Sequence, residues 1–163
     1  MYKIGVISPP SLFTGGFDYD NQPDEIRSEF VDFINSVSSV ETCEVYLDTF
    51  FPLSQCLAQI AMANDVSVTR VQSFKKSPKE FKKIPQEFAK MLELESTCSG
   101  LLVLNAGKYT PKKVHKSCEY IARNTDHTFV IGPKWYSGYG ELSKNCTCFN
   151  TPFPKDFTFD LHS

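Results

Sequence analysis

The order of apolar runs in this chain predicts an α/β fold, a three-layer sandwich whose mostly parallel sheet of about five strands is covered by helices on both faces. Two observations carry the prediction. Short β-rich runs alternate with stretches of helical period from Tyr2 to Ile131, and strands separated by helices pair in parallel through right-handed crossovers. The run Gly100 to Asn105 is apolar at the consecutive positions Leu101 to Leu104, as a strand buried on both faces is.

The elements follow in order. Tyr2 to Ile7 is the first strand, stopped by Ser8-Pro9-Pro10, because proline cannot donate to a ladder. Ser11 to Gln22 carries Thr14-Gly15-Gly16, Asp18 and Asp20 and reads as a loop, and Pro23-Asp24-Glu25 supplies a helix start. Ile26, Phe30, Phe33, Ile34 and Val37 then fall on one helical face. Cys43, Val45 and Leu47 alternate with Glu44, Tyr46 and Asp48, a second strand whose polar side suggests a place near a sheet edge. Leu53, Leu57, Ile60 and Ala61 make the next helix, and Val66 to Val71 a β-branched third strand. After the lysine-rich stretch from Gln72 to Pro85, the segment Gln86 to Glu95 is helical. Gly100 to Asn105, the most apolar strand, is expected at the sheet centre; Lys112 to Asn124 is a helix and His127 to Ile131 the last clear strand. Beyond Gly132, residues 133–163 read as an irregular aromatic tail packing on the domain or on a neighbouring subunit.

Composition bounds the function. With 163 residues, 41% of them hydrophobic, residues 1–163 suit a single domain with a sizeable core. A net charge of -2 and a pI near 5.9 argue against general nucleic-acid or anionic-membrane binding. No apolar run approaches a membrane span or a signal-peptide core, so a cytoplasmic protein is expected. Six cysteines, Cys43, Cys56, Cys98, Cys118, Cys146 and Cys148, read as buried reduced thiols of a core that needs no staples. Cys146-Thr147-Cys148 is the one close pair, and with no matching pair or histidine nearby no metal site is expected.

In an open parallel sheet ligands bind outside the carboxyl ends of the strands, where chain order reverses. Five loops meet that condition: Ser8 to Gly16, Thr49 to Gln55, Ser73 to Lys76, Asn105 to Tyr109, and Gly132 to Tyr136. Ser8, Thr14, Gly15, Gly16, Ser73, Lys75, Asn105, Gly107, Lys108 and Tyr109 are the candidate ligand-binding residues. Helix starts there offer backbone N–H groups to an anion, and Lys75, Lys76, Lys108 and Lys112 add charge, unless they form only a solvated face. Thr14-Gly15-Gly16 wraps a phosphate or is a plain loop; neither G-x-G-x-x-G nor a P-loop follows the first strand, which removes support for the usual NAD and ATP geometries. Tyr109 can stack on a base and Asn105 hydrogen-bond one, although Asn-Ala-Gly is also ordinary turn chemistry. Lys75 to Lys83, with Phe74 and Phe81, reads as a nucleotide grip or as a solvated loop. Trp135, Tyr136 and Tyr139 read as an aromatic lid, a core cluster or a subunit contact. His115, His127 and His162 have no neighbours that suggest a triad. Asp48 and Asp18, with Asp20 behind them, are the carboxylates available for ribose binding or acid–base work.

From Pro52 to Pro133 the chain resembles the YpsA-like branch of the SLOG superfamily, Rossmann-like domains that bind nucleotides or nucleotide-derived ligands. The resemblance is carried by Leu53 to Ala63 before Val66-Ser67-Val68, by Ser73-Phe74, by Gly100 to Tyr109, and by Glu119-Tyr120 and Asn124-Thr125-Asp126. It departs where the family has a glycine-rich segment with an acid, here Thr49 to Ser54 with Phe50 and Phe51, and where an arginine–asparagine pair is replaced by Ser117-Cys118. The resemblance implies a divergent module that senses or sequesters a nucleotide-like small molecule, with removal of a signalling nucleotide in phage–host conflict as one setting, no cofactor, and association as a homo-oligomer. An enzyme cleaving an N-glycosidic or phosphoribosyl bond, and an inert interaction scaffold whose pocket Phe50 and Phe51 fill, are the alternatives.

Overall fold

The computed structural model describes residues 1–8, 24–76 and 85–150, the side chains of 24, 52 and 85–88 excepted. Six parallel strands form one sheet: β1 (Tyr2–Ile7), β2 (Cys43–Leu47), β3 (Ser67–Gln72), β4 (Gly100–Val103), β5 (His127–Gly132) and β6 (Cys146–Asn150). Their spatial order is β4-β3-β2-β1-β5-β6. With helices on both faces, this is the Rossmann-like sandwich read from the alternation, with one strand more.

Helices α1 (Asp24–Ser38), α2 (Pro52–Ala63) and α3 (Pro85–Thr97) join successive strands from β1 to β4. They bury Ile26, Phe30, Ile34, Leu53, Leu57 and Leu94 against Ile4, Val45, Val68 and Phe129 on one face. Each such side chain contributes about 1.5–3 kcal/mol of burial, and Phe30 adds an edge-to-face contact with Phe129 at 5.2 Å. The chain then returns across the sheet through α4 (Pro111–Arg123), and α5 (Ser137–Gly140) follows β5. These two cover the opposite face over Ile7 and Val130. Gly5 lets α4 approach: a β-carbon there would stand 2.6 Å from Ile121 Cγ2 and 2.8 Å from Thr125 Oγ1.

Three placements differ from the sequence reading. β4, expected at the centre, is the last strand on its side among the described residues, with Leu101 47% and Val103 50% exposed. β2, expected near an edge, lies between β1 and β3; its polar side faces a cavity of about 310 Å³ beside α4, lined by Lys3, Tyr46, Thr69, Gly100, Leu102 and Tyr120. The segment after Gly132 has regular structure within 134–150: a 3-10 turn at Lys134–Tyr136, then α5, then β6 paired to β5 from Thr128↔Cys146 to Gly132↔Asn150. Residues 151–163 lie outside the described residues. Among the described residues no helix is long and apolar enough to cross a membrane.

Candidate functional site

Chain order reverses at β1, whose one side takes β2 and whose other side takes β5. The carboxyl edge between β1 and β5 is therefore the switch point at which open parallel sheets bind ligands. Ile7 pairs with Val130, so Ser8 stands beside the last residues of β5. Ser8 is buried, and its hydroxyl shares a 2.6 Å hydrogen bond with Ser54 Oγ on the first turn of α2. On the β5 side Gly132 is seated under Tyr136, where a β-carbon would meet the ring at 2.5 Å. The 3-10 turn that follows presents Lys134 and Trp135, the latter 63% exposed. Tyr136 and Tyr139 turn the other way, into the core with Val114 and Cys118. Of the three candidate lid aromatics, only Trp135 faces outward.

The carboxyl ends of β2, β3 and β4 are closed. Asp48, one residue past β2, accepts from Phe50 N (2.9 Å), Ser73 N (3.1 Å) and Ser73 Oγ (2.5 Å). Lys76 Nζ completes the set at 2.8 Å from Oδ1 and 3.1 Å from Oδ2, the two side chains being 6% and 2% exposed. The ammonium also sits 4.8 Å from the ring centre of Phe74, a cation–π contact strengthened by exclusion of water. Around the ion pair Phe50 packs edge-on against Phe51 at 5.4 Å and Phe74 at 4.9 Å, and Phe74 against Tyr109 at 5.1 Å. Burial raises the Tyr109 phenol above its usual pKa.

The other predicted residues divide by strand. Asn105 Oδ1 accepts from Gly107 N at 2.9 Å, the turn chemistry of a strand exit, and Lys75 N donates to Gly107 O at 2.9 Å. Lys75 and Lys108 stay exposed at the ends of β3 and β4. Lys113 Nζ donates to Lys108 O at 2.5 Å. β3 lies two strand spacings from β1, roughly 10 Å. Thus Ser73, Lys75, Asn105, Gly107, Lys108 and Tyr109 form one group and Ser8 another, with the Asp48 turn between them. Thr14, Gly15, Gly16, Asp18 and Asp20 lie outside the described residues. His115 Nδ1 is 2.8 Å from Tyr139 Oη, and His127 Nε2 is 2.7 Å from Thr147 Oγ1; both join neighbouring elements.

No family model matches this chain, and no curated protein matches it.

Lys134 lies in the Gly132 to Tyr136 loop, one of the five candidate loops, but is not among the individual candidate residues. The signal that singles it out is strand order: once β5 is known to flank β1, the first residues after β5 become candidates. Cys43 and Cys118 are buried as expected, Cys56 and Cys98 partly so, whereas Cys146 and Cys148 are exposed on β6, since an outer strand has no layer to cover both of its faces.

Proposed function

We propose that the protein binds a nucleotide-derived small molecule at the β1–β5 switch point and releases it unchanged. The observation that carries this reading is the exposed Trp135 beside Lys134 at the carboxyl end of β5, adjacent to Ser8. An indole offers a stacking face to a base and the ammonium meets a phosphate. The resemblance to SLOG domains points to the same ligand class.

Binding without turnover is favoured over N-glycosidic cleavage by the state of Asp48. Its carboxylate is committed to two backbone N–H groups, a serine hydroxyl and a lysine, which leaves it poorly placed to attack a sugar carbon or take a proton from water. Phe50, Phe51 and Cys118, standing where the resembled family carries its acid and its arginine–asparagine pair, join one apolar cluster. That filling also supports a second reading, an interaction scaffold without ligand.

Trp135 is the sole tryptophan of the chain, so its fluorescence reports the proposed site directly. Titration with nucleotides, cyclic dinucleotides and ADP-ribose derivatives is expected to change the emission saturably with at least one of them, and Trp135→Ala, which lacks the fluorophore and is read by titration calorimetry, to weaken that ligand about tenfold or more, the worth of one stacked base. Recovery of the ligand intact by mass spectrometry distinguishes capture from cleavage. No saturable change with any of these compounds favours the scaffold.

A further inference from the structure

We infer that Cys146 and Cys148 form a bidentate dithiol site for a soft, tetrahedral metal ion of the zinc class, open to the outside of the sheet. The two residues alternate with Thr147 on β6, so both side chains leave the same face of the strand. Their Sγ atoms are 3.9 Å apart. Two thiolates on one tetrahedral ion, each bonded at about 2.3 Å, stand about 3.8 Å apart. The thiols thus span the bite of such an ion as they stand, whereas a disulfide needs sulfurs at about 2.05 Å and a bend in β6.

The surroundings keep the pair accessible. β6 is the last strand of its side among the described residues, and both cysteines are exposed. Gly140 on α5 lies against them: a β-carbon there would stand 3.0 Å from Cys146 Sγ and 3.2 Å from Cys148 Sγ. Among the described residues no third cysteine, histidine or carboxylate joins the pair. The two remaining positions of the ion are therefore supplied from outside, by water, by a small thiol or by the same dithiol of a second copy. Each dithiol gives up two thiol protons on binding, two per ion when one chain holds it and four when two chains share it, so uptake weakens as the pH falls.

Cadmium is the probe, because its thiolate complexes absorb in the ultraviolet. Reduced protein is expected to develop the thiolate-to-cadmium band, with release of two protons per ion where native mass spectrometry shows one ion per chain and of four where it shows one ion per two chains; either ratio supports the site. Cys146→Ser and Cys148→Ser, at exposed positions, should keep the fold by circular dichroism and each lose more than the ~10–100-fold that outer-shell changes cost metal sites. Cys98→Ser should leave binding unchanged, and Gly140→Ala, which retains both thiols and crowds them, should weaken it. Absence of the band in the wild type, or its persistence in the double serine variant, overturns the inference.

Discussion

Asp48 and Lys76 show how a residue in a catalytic-looking position is absorbed by structure. Removing one member of a buried ion pair leaves an uncompensated charge, at a cost of about 3–5 kcal/mol. Asp48→Asn is expected to destabilise by about 3 kcal/mol or more in urea unfolding. Lys76→Met should cost less, because the Asp48 carboxylate keeps Phe50 N and both Ser73 donors. The double variant should recover part of the loss, and strict additivity would refute the coupling. His127 gives a pH signature. Its ring lies 4.3 Å from that of Phe33, and burial lowers its pKa from the usual 6.5. A histidine that protonates less readily folded than unfolded destabilises as the pH falls from about 6.5 toward its folded value, while above 6.5 its contribution is complete. Wild type should therefore lose more stability between pH 7.5 and pH 5 than His127→Gln, measured as urea midpoints. The positions of Ser73, Asn105 and Tyr109 at strand ends were legible in the sequence. Their use was not, because hydroxyl, amide and phenol serve a turn or a packed ring as readily as a ligand.

At the scale of elements, period and punctuation placed five strands and four helices within a few residues. Thr110 caps α4 by accepting from Lys113 N at 3.2 Å, with proline at the start of the helix, as the Thr-Pro pair predicts. Lateral order was harder to read. Apolar residues at every position of Leu101 to Leu104 suggest burial on both faces, yet among the described residues β4 has one strand neighbour. The alternation of Cys43 to Asp48 suggests an edge, yet it arises because α4 leaves the Tyr46 side of the sheet partly open. β6 was missed since Cys-Thr-Cys-Phe-Asn carries no apolar stripe and its crossover holds only a 3-10 turn and a four-residue helix. The apolar outer strand has a consequence of its own: exposed strand edges recruit other chains. Leu101→Lys with Val103→Lys is expected to change stability by no more than about 0.5 kcal/mol per site and to slow aggregation in light scattering. A large loss of stability would mean that these side chains are covered.

At the scale of the molecule, the carboxyl edge is divided by the aromatic and ionic closure over β2, β3 and β4, leaving the β1–β5 side as the proposed binding region. A ligand seated between two central strands stabilises the whole sheet. At about 100 times its dissociation constant it should add roughly 2.7 kcal/mol, seen as a rise in Tm that Trp135→Ala diminishes and Lys108→Ala does not. Loss of the shift in Lys108→Ala alone would return the site to the β4 end.

The central position of β1 also sets the timing of assembly. Val6 pairs with Phe129, while Ile4 pairs with Val45. During synthesis β1 can gain its first neighbour early, but its second leaves the ribosome ~85 residues after the first, roughly 4–17 s at about 5–20 residues per second. Throughout that interval the nascent chain carries a half-paired strand rich in isoleucine and valine, a natural client for whatever shields emerging polypeptides from one another.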